Sequence, residues 1–289
     1  MNFQISSEEL ANPQLVDVLR KVYYCFSELG QDFFVIGATA RDIMVRLLIG
    51  IVPSRRTRDL DLAIAIPAWD TFDRVRDTLL AHGFTKDPKM HQRFKDGNNY
   101  ELDILPYGDV AKEDGYIYWP PEEDIAMSVN AFAEILSDAI TVCINEEFCI
   151  RVASLYGLFV LKFNAWLDRH TSTDKDAEDI EFIIRNYFAA NVARLPYQHS
   201  PYHEVYTWED FNEWVAGAYW LAQDIAQLLS STQLTLYSAH LKYELELADR
   251  SCFIQQILAH NKALGFELVI GGLSKMLNVL ENNRSKNDI

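Results

Sequence analysis

Apolar residues near the start of the chain recur at Leu15, Val18, Leu19, Val22, Tyr23 and Phe26. That spacing marks one face of a helix and predicts one over 13–29, stopped at Gly30. A short apolar run at 33–36 reads as a buried strand. Gly37-Ala38-Thr39 interrupts it, and a helix from about 40 to 49 follows. A loop with Pro53 and nearby arginines spans 50–57. The segment 60–66 is strand-like, with Asp59 and Asp61 at its start and Pro67 at its end. An amphipathic helix is predicted over 69–82. Segments 93–95 and 100–105, joined by Asp96-Gly97-Asn98-Asn99, predict a hairpin, and 139–144 with 148–152 a second.

After Val152 the period changes. Helices are predicted over 154–167 and 175–188, a Pro-bounded linker over 196–206, and a mostly helical, Glu-rich remainder from Trp208. No internal repeat appears. A chain of 289 residues fits two coupled domains. The expected class is α+β: a mixed sheet with flanking helices over 1–152, then a helical domain over 153–289.

With 49% hydrophobic and 24% charged residues, the chain has the composition of an ordered globular protein. Forty-two acids against 26 bases give a net charge of −16. Nonspecific affinity for nucleic acid comes from neutralising phosphates, so a broad nucleic-acid coat is excluded. The imbalance is uneven: residues 1–110 hold 13 bases and 16 acids, residues 111–289 hold 13 bases and 26 acids. Any basic surface belongs to the first half. Cys25, Cys143, Cys149 and Cys252 form no C-x-x-C pair and read as buried free thiols in a reducing cytoplasm. The first 13 residues lack the features of a signal peptide. The most apolar stretch, 33–52, contains Arg41, Asp42 and Arg46, which excludes a membrane span. A soluble, cytoplasmic protein with no membrane partner is expected.

Asp59-Leu60-Asp61 opens a strand. Residues two apart in a strand share a face, so both carboxylates project together, roughly 7 Å apart along the backbone. Such a pair suits hard cations. Asp103 lies in a second alternating strand, Tyr100-Glu101-Leu102-Asp103-Ile104-Leu105. Three acids crowded on one sheet face repel unless a cation neutralises them. Glu101 shares the face of Asp103, and periodicity does not choose between them; the apolar neighbours favour Asp103. Gly37-Ala38-Thr39 joins a buried strand to a helix. Glycine allows close approach, and the amides and dipole at a helix start favour phosphate, to which the Thr39 hydroxyl can donate.

A glycine at a helix start, D-x-D on the next strand and a carboxylate on a later one together resemble the DNA polymerase β-like nucleotidyltransferase superfamily. Gly37-Ala38-Thr39-Ala40-Arg41-Asp42 is similar to the G-G-x-x-R-D of tRNA CCA-adding enzymes and poly(A) polymerases, with Ala38 in place of the second small residue. In the helical half, Leu161-Lys162-Phe163-Asn164-Ala165, then Arg169, then Lys175-Asp176-Ala177-Glu178-Asp179-Ile180 resemble the signature of AbiEii-type nucleotidyltransferase toxins of type IV toxin–antitoxin systems. The resemblance covers roughly 33–188 and implies that 153–188 contributes to the active site. In that family the residues matching Lys162 and Asp176 are required.

The resemblance implies transfer of a nucleoside monophosphate from an NTP to an acceptor hydroxyl. Asp59, Asp61 and Asp103 would hold two Mg²⁺, with Mn²⁺ as a substitute. Gly37, Ala38, Thr39, Arg41 and Lys162 would bind the nucleotide, and Asp103 would take the acceptor's proton. Lys162 also suits a salt bridge to Asp59 or Asp176, since a buried ammonium needs an anion. Asp179 would support Asp176, with Arg169 pairing either. The implied acceptor is RNA, with a tRNA 3′ end as the specific case, and the implied protein partner a cognate antitoxin. The alternatives are a small-molecule or protein acceptor, or a non-catalytic relative that only binds a partner. Arg55, Arg56 and Arg58, with Lys89, Arg93 and Lys95, are the basic residues available to RNA. Tyr116, Tyr118 and Trp119 suit either base stacking or packing. The seven histidines show no metal-ligand spacing, and His199 and His203 fall in the predicted linker.

Overall fold

The computed structural model describes residues 2–51, 58–123 and 126–284. The chain divides into two compact units, Met1–Ser154 and Leu155–Ile289.

The first unit begins with β1 (Asn2–Ile5), α1 (Ser7–Leu10), α2 (Pro13–Leu29), β2 (Phe34–Ile36), α3 (Gly37–Ile49), β3 (Asp59–Ala65) and α4 (Trp69–Ala81). There follow β4 (Thr85–Lys86), β5 (Arg93–Lys95), β6 (Glu101–Tyr107), β7 (Tyr116–Tyr118) and β8 (Ala126–Ser128). It closes with α5 (Phe132–Ser137), β9 (Ile140–Ile144) and β10 (Phe148–Val152). Eight strands form a mixed sheet in the order β1-β9-β10-β2-β3-β6-β5-β4; β7 and β8 pair separately. The centre is built from β2, β3 and β6, where β2 runs antiparallel and β6 parallel to β3. Leu60, Leu62 and Ile64 alternate with the two aspartates and are fully buried, as are Leu102 and Ile104 on the neighbouring strand. This alternation fixes which face carries the acids, because a one-residue slip would bury them instead. Helix α2 contributes Leu15, Val18, Leu19, Val22 and Phe26 to the core and ends at Gly30 in the left-handed conformation, as its pattern predicts.

The second unit contains α6 (Leu155–Arg169), α7 (Lys175–Asn191), α8 (Glu213–Leu228), α9 (Ser231–Leu247), α10 (Cys252–His260) and α11 (Phe266–Asn283). Helix α8 packs against α7 and α11. A β-carbon at Gly217 would lie 2.4 Å from the Ile184 carbonyl oxygen, so this glycine sets how closely α8 approaches α7.

Three expectations are corrected, and one strand is added to the sequence reading. Helix α3 begins at Gly37, one turn before 40. Segment 2–5 forms a strand parallel to β9, where the polar sequence gives no strand signal. Cys143 and Cys149 are not free thiols: they are register partners across the β9–β10 hairpin and are joined by a disulfide, while Cys25 and Cys252 are free. The predicted linker is packed structure. It forms 3₁₀ turns at Leu195–Gln198 and Tyr202–Thr207, with Tyr197, Tyr202 and Val205 buried. The hydroxyls of Tyr187, Tyr197 and Tyr202 all donate to Asp224, which ties these turns to α7 and α8. Among the described residues, no helix is long and apolar enough to cross a membrane.

Candidate active site

The site is built on β3 and β6. Parallel register places Asp59 opposite Glu101 and Asp61 opposite Asp103. Neighbouring strands lie about 4.8 Å apart, so the four acids form one patch on one face. Asp103 is the deeper of the two β6 candidates, buried at 7% exposure, while Glu101 is half-buried. Tyr100 reports the field of this patch. Burial, with the negative charge of Asp59 next, pushes its hydroxyl up to about 12.

Helix α3 starts beside this patch because β2 ends there, with Ile36 paired to Asp61. Gly37 has φ +66°, and a β-carbon on it would lie 2.0 Å from Asp61 Oδ2. Only glycine brings the backbone this close to the carboxylate. The N-cap, Ile36, supplies no side-chain acceptor to the first-turn amides, and the positive end of the helix dipole favours an anion there. Thr39 is 1% exposed and its hydroxyl donates to the Asp59 backbone carbonyl at 3.0 Å. Its proton is thus committed to locking α3 onto β3 instead of to a phosphate. Ala38 is half-buried in the same turn. Arg41 is also half-buried, with Nε and Nη2 donating to Asp42 Oδ1 at 2.8 and 2.6 Å.

Arg93 is not, as the sequence suggests, available to RNA; it belongs to the acidic patch. From β5 it donates through Nε and Nη2 to the two oxygens of Asp103, both at 2.8 Å, and pairs through Nη1 with Glu101 at 2.7 Å. Hydrogen bonding to Asp103 outweighs partial burial and raises the guanidinium pKa above its ordinary value. Lys95 is likewise engaged, with Glu101 at 3.4 Å and Asp87 at 3.8 Å. The hairpin itself was legible. That its two strands would face cation against carboxylate follows from register, which the loop sequence alone does not set. Among the described residues, no three His, Cys, Asp or Glu side chains are grouped to hold a metal ion. Asp59 and Asp61 nevertheless fit a hard divalent cation, as two carboxylates on one strand face beside a cradle that a β-carbon would fill. The third acid is held by Arg93.

Lys162 and Asp176 meet within the helical unit. Lys162 Nζ lies 3.2 Å from Asp176 and 2.6 Å from Asp179. Arg169 adds a two-pronged contact to Asp176 at 2.6 and 2.8 Å. The Asp176 side chain is fully buried. Burial alone would raise its pKa, but hydrogen bonds from Arg169 and the charges of Lys162 and Arg169 hold it below the usual carboxylate range.

Arg55 and Arg56 lie outside the described residues; Arg58 is exposed. Trp119 is buried against Trp69 and Phe72 and stacks on His91, and Tyr118 donates to Asp114. Trp119 is therefore a packing residue.

Residues 19–213 match the family described as nucleotidyl transferase AbiEii toxin, type IV TA system. No curated protein matches the chain closely. Among solved structures, the Helicobacter pylori protein JHP933 is similar at 14% identity over 98% of this chain and 96% of its own, with a TM-score of 0.37. A lincosamide antibiotic adenylyltransferase with lincomycin bound is similar at 17% identity over 62% of this chain and 96% of its own, TM-score 0.36. A Thermotoga maritima CCA-adding enzyme complexed with tRNA is similar at 13% identity over 98% of this chain and 85% of its own, TM-score 0.29. The family match spans the glycine-opened helix, the D-x-D strand and the Lys162–Asp176 helices together: the chain belongs to the AbiEii nucleotidyltransferase family of type IV toxin–antitoxin systems and is a transferase of phosphorus-containing groups.

Proposed function

We propose that the chain transfers a nucleoside monophosphate from an NTP to a hydroxyl of RNA, acting as the toxin of a toxin–antitoxin pair, with the first unit as its catalytic domain. The observation that carries the transfer chemistry is the approach of Gly37 to Asp61, which sets an uncapped helix start against the D-x-D carboxylates. The first-turn amides of α3 bind phosphate oxygens, and the helix dipole favours their charge. Arg41 adds charge one turn further along. Thr39 fixes the Asp59 backbone, so the strand and the phosphate-binding turn keep one spacing. Asp59 and Asp61 would hold Mg²⁺, which supplies Lewis acidity at the phosphates and the acceptor oxygen. The acceptor oxygen forms the new bond to the α-phosphorus, the bond to the bridging oxygen breaks, and pyrophosphate leaves. The acceptor's proton passes to a carboxylate oxygen of Asp103, the acid beside Asp61 in register. Lys162 and Asp176 are proposed as required residues on the family resemblance; their mutual ion pairs supply the rigidity of that part of the helical unit.

The toxin role is supported by family membership; the RNA acceptor rests on the resemblance drawn from the sequence motifs. The test is incubation with each labelled NTP and Mg²⁺, with total RNA or with cell extract. Label at RNA 3′ ends supports the reading. Label on a protein or small molecule overturns the RNA acceptor, and no label with any NTP overturns the transfer.

A further inference from the structure

Arg93 touches both oxygens of the third carboxylate, and it does so from the neighbouring strand at the register partner of Asp103. A solvated ion pair stabilises little. This one is half-buried, two-pronged and placed on the same face as Asp59 and Asp61. Without a cation, three carboxylates on one face repel one another, and the guanidinium supplies positive charge at that point. Its fork takes one lone pair on each Asp103 oxygen, and its positive charge repels a divalent cation at the same carboxylate. Glu101 gives Arg93 a second partner at 2.7 Å and is itself braced by Lys95 at 3.4 Å. A guanidinium that leaves Asp103 therefore still has a carboxylate to hold.

We infer that Arg93 is the resident counter-cation of the site: it holds Asp103 while no metal is bound and yields that carboxylate on loading, so that divalent-cation binding exchanges with the Arg93–Asp103 pair. This rests on the reading of Asp59 and Asp61 as the cation-holding acids, to which Asp103 is added on loading. Arg93 is then a positioning residue, and it sets the cation concentration at which the site assembles.

The test is Mn²⁺ titration of the full chain without nucleotide, followed by the electron paramagnetic resonance of free Mn²⁺. Arg93→Gln removes the competitor, and Mn²⁺ should bind about tenfold tighter, the worth of one charge-assisted contact. The gain should vanish in Arg93→Gln/Asp103→Asn. Arg93→Lys keeps the charge without the fork and should fall between, which preserves the test should the Gln variant fold poorly. Unchanged or weaker Mn²⁺ affinity in both Arg93 variants overturns the exchange. If Asp59→Asn still abolishes Mn²⁺ binding in that case, only the exchange fails and the cation-holding reading stands. No Mn²⁺ binding to wild type or variants overturns both.

Discussion

Gly37 and Asp61 are 24 positions apart, yet a β-carbon on the first would lie 2.0 Å from a carboxylate oxygen of the second. The helix start and the acidic strand are built as one unit. Thr39 adds the second tie, through the Asp59 carbonyl. On the proposed function, the close approach puts the amides that would bind phosphate and the oxygens that would hold a cation within reach of one triphosphate.

Gly37→Ala should therefore disable the site while leaving the rest of the sheet intact. A left-handed backbone costs a non-glycine residue about 1–2 kcal/mol, and the new methyl must push Asp61 aside. A displacement of this kind costs about a hundredfold in rate. Thermal melting and transfer kinetics measure the two effects separately. Wild-type kinetics in this variant would show that the close approach is incidental.

Asp59→Asn should abolish transfer and leave stability within about 0.5 kcal/mol of wild type. The reason is that the tie to Thr39 uses the Asp59 backbone oxygen, which the substitution keeps. Loss of a charge-stabilising group at a reacting centre costs at least about a hundredfold. Circular dichroism and labelled-NTP transfer give the comparison; retained activity would remove Asp59 from the site.

The centre of the fold was legible because its strands alternate or run apolar and its helices keep a helical period. The D-x-D strand, the β5–β6 and β9–β10 hairpins and helices α2 and α4 follow the pattern within one or two residues, apart from Pro106 and Tyr107 extending β6. Three things were not legible, each for a physical reason. Segment 2–5 becomes a strand through its partner β9, a tertiary effect outweighing local propensity. The 196–206 segment looked like a linker because its prolines mask the burial of Tyr197 and Tyr202, whose partner Asp224 lies on a later helix. The pairing of Arg93 with Asp103 depends on hairpin register, so a residue that looked like a free base is part of the acidic site.

The Lys162 cluster separates stability from function. Asp176→Asn removes a fully buried carboxylate from Arg169 and Lys162. The cost should be about 3 kcal/mol, the low end for breaking a buried pair, because Arg169 is half-exposed. Because the folded pKa of Asp176 is depressed, its stabilisation is complete above the unfolded value of 3.8 and is lost as pH falls through the folded value. The melting-temperature gap between wild type and Asp176→Asn should hold at neutral pH and narrow below pH 3.8. A gap that widened in acid would contradict the depressed pKa. Lys162→Met keeps the apolar stem and leaves Asp176 with Arg169, so it should lower transfer about tenfold or more at a modest stability cost. Normal kinetics would make Lys162 structural only.

The RNA acceptor carries a charge test. Arg93 and Lys95 are engaged with Asp103, Glu101 and Asp87, which removes them from the basic set near the D-x-D strand. Arg58 and Lys89 are exposed, and Arg55 and Arg56 precede Arg58 in the sequence. The chain beyond residue 110 holds twice as many acids as bases, so few phosphate contacts are available elsewhere. Binding should be weak, with a shallow dependence on salt, since the slope of log affinity against log salt is about −0.7 to −0.9 per phosphate neutralised. Replacing Arg55 and Arg56 with Gln should flatten that slope by about one to two such increments and leave NTP affinity nearly unchanged, because the proposed phosphate binding at the helix start uses α3 amides. Fluorescence anisotropy of labelled RNA across a salt series measures the slope. An unchanged slope beside a modified RNA product would move the RNA contacts away from this arginine run, whereas loss of NTP affinity in the same variant would place the run at the triphosphate instead.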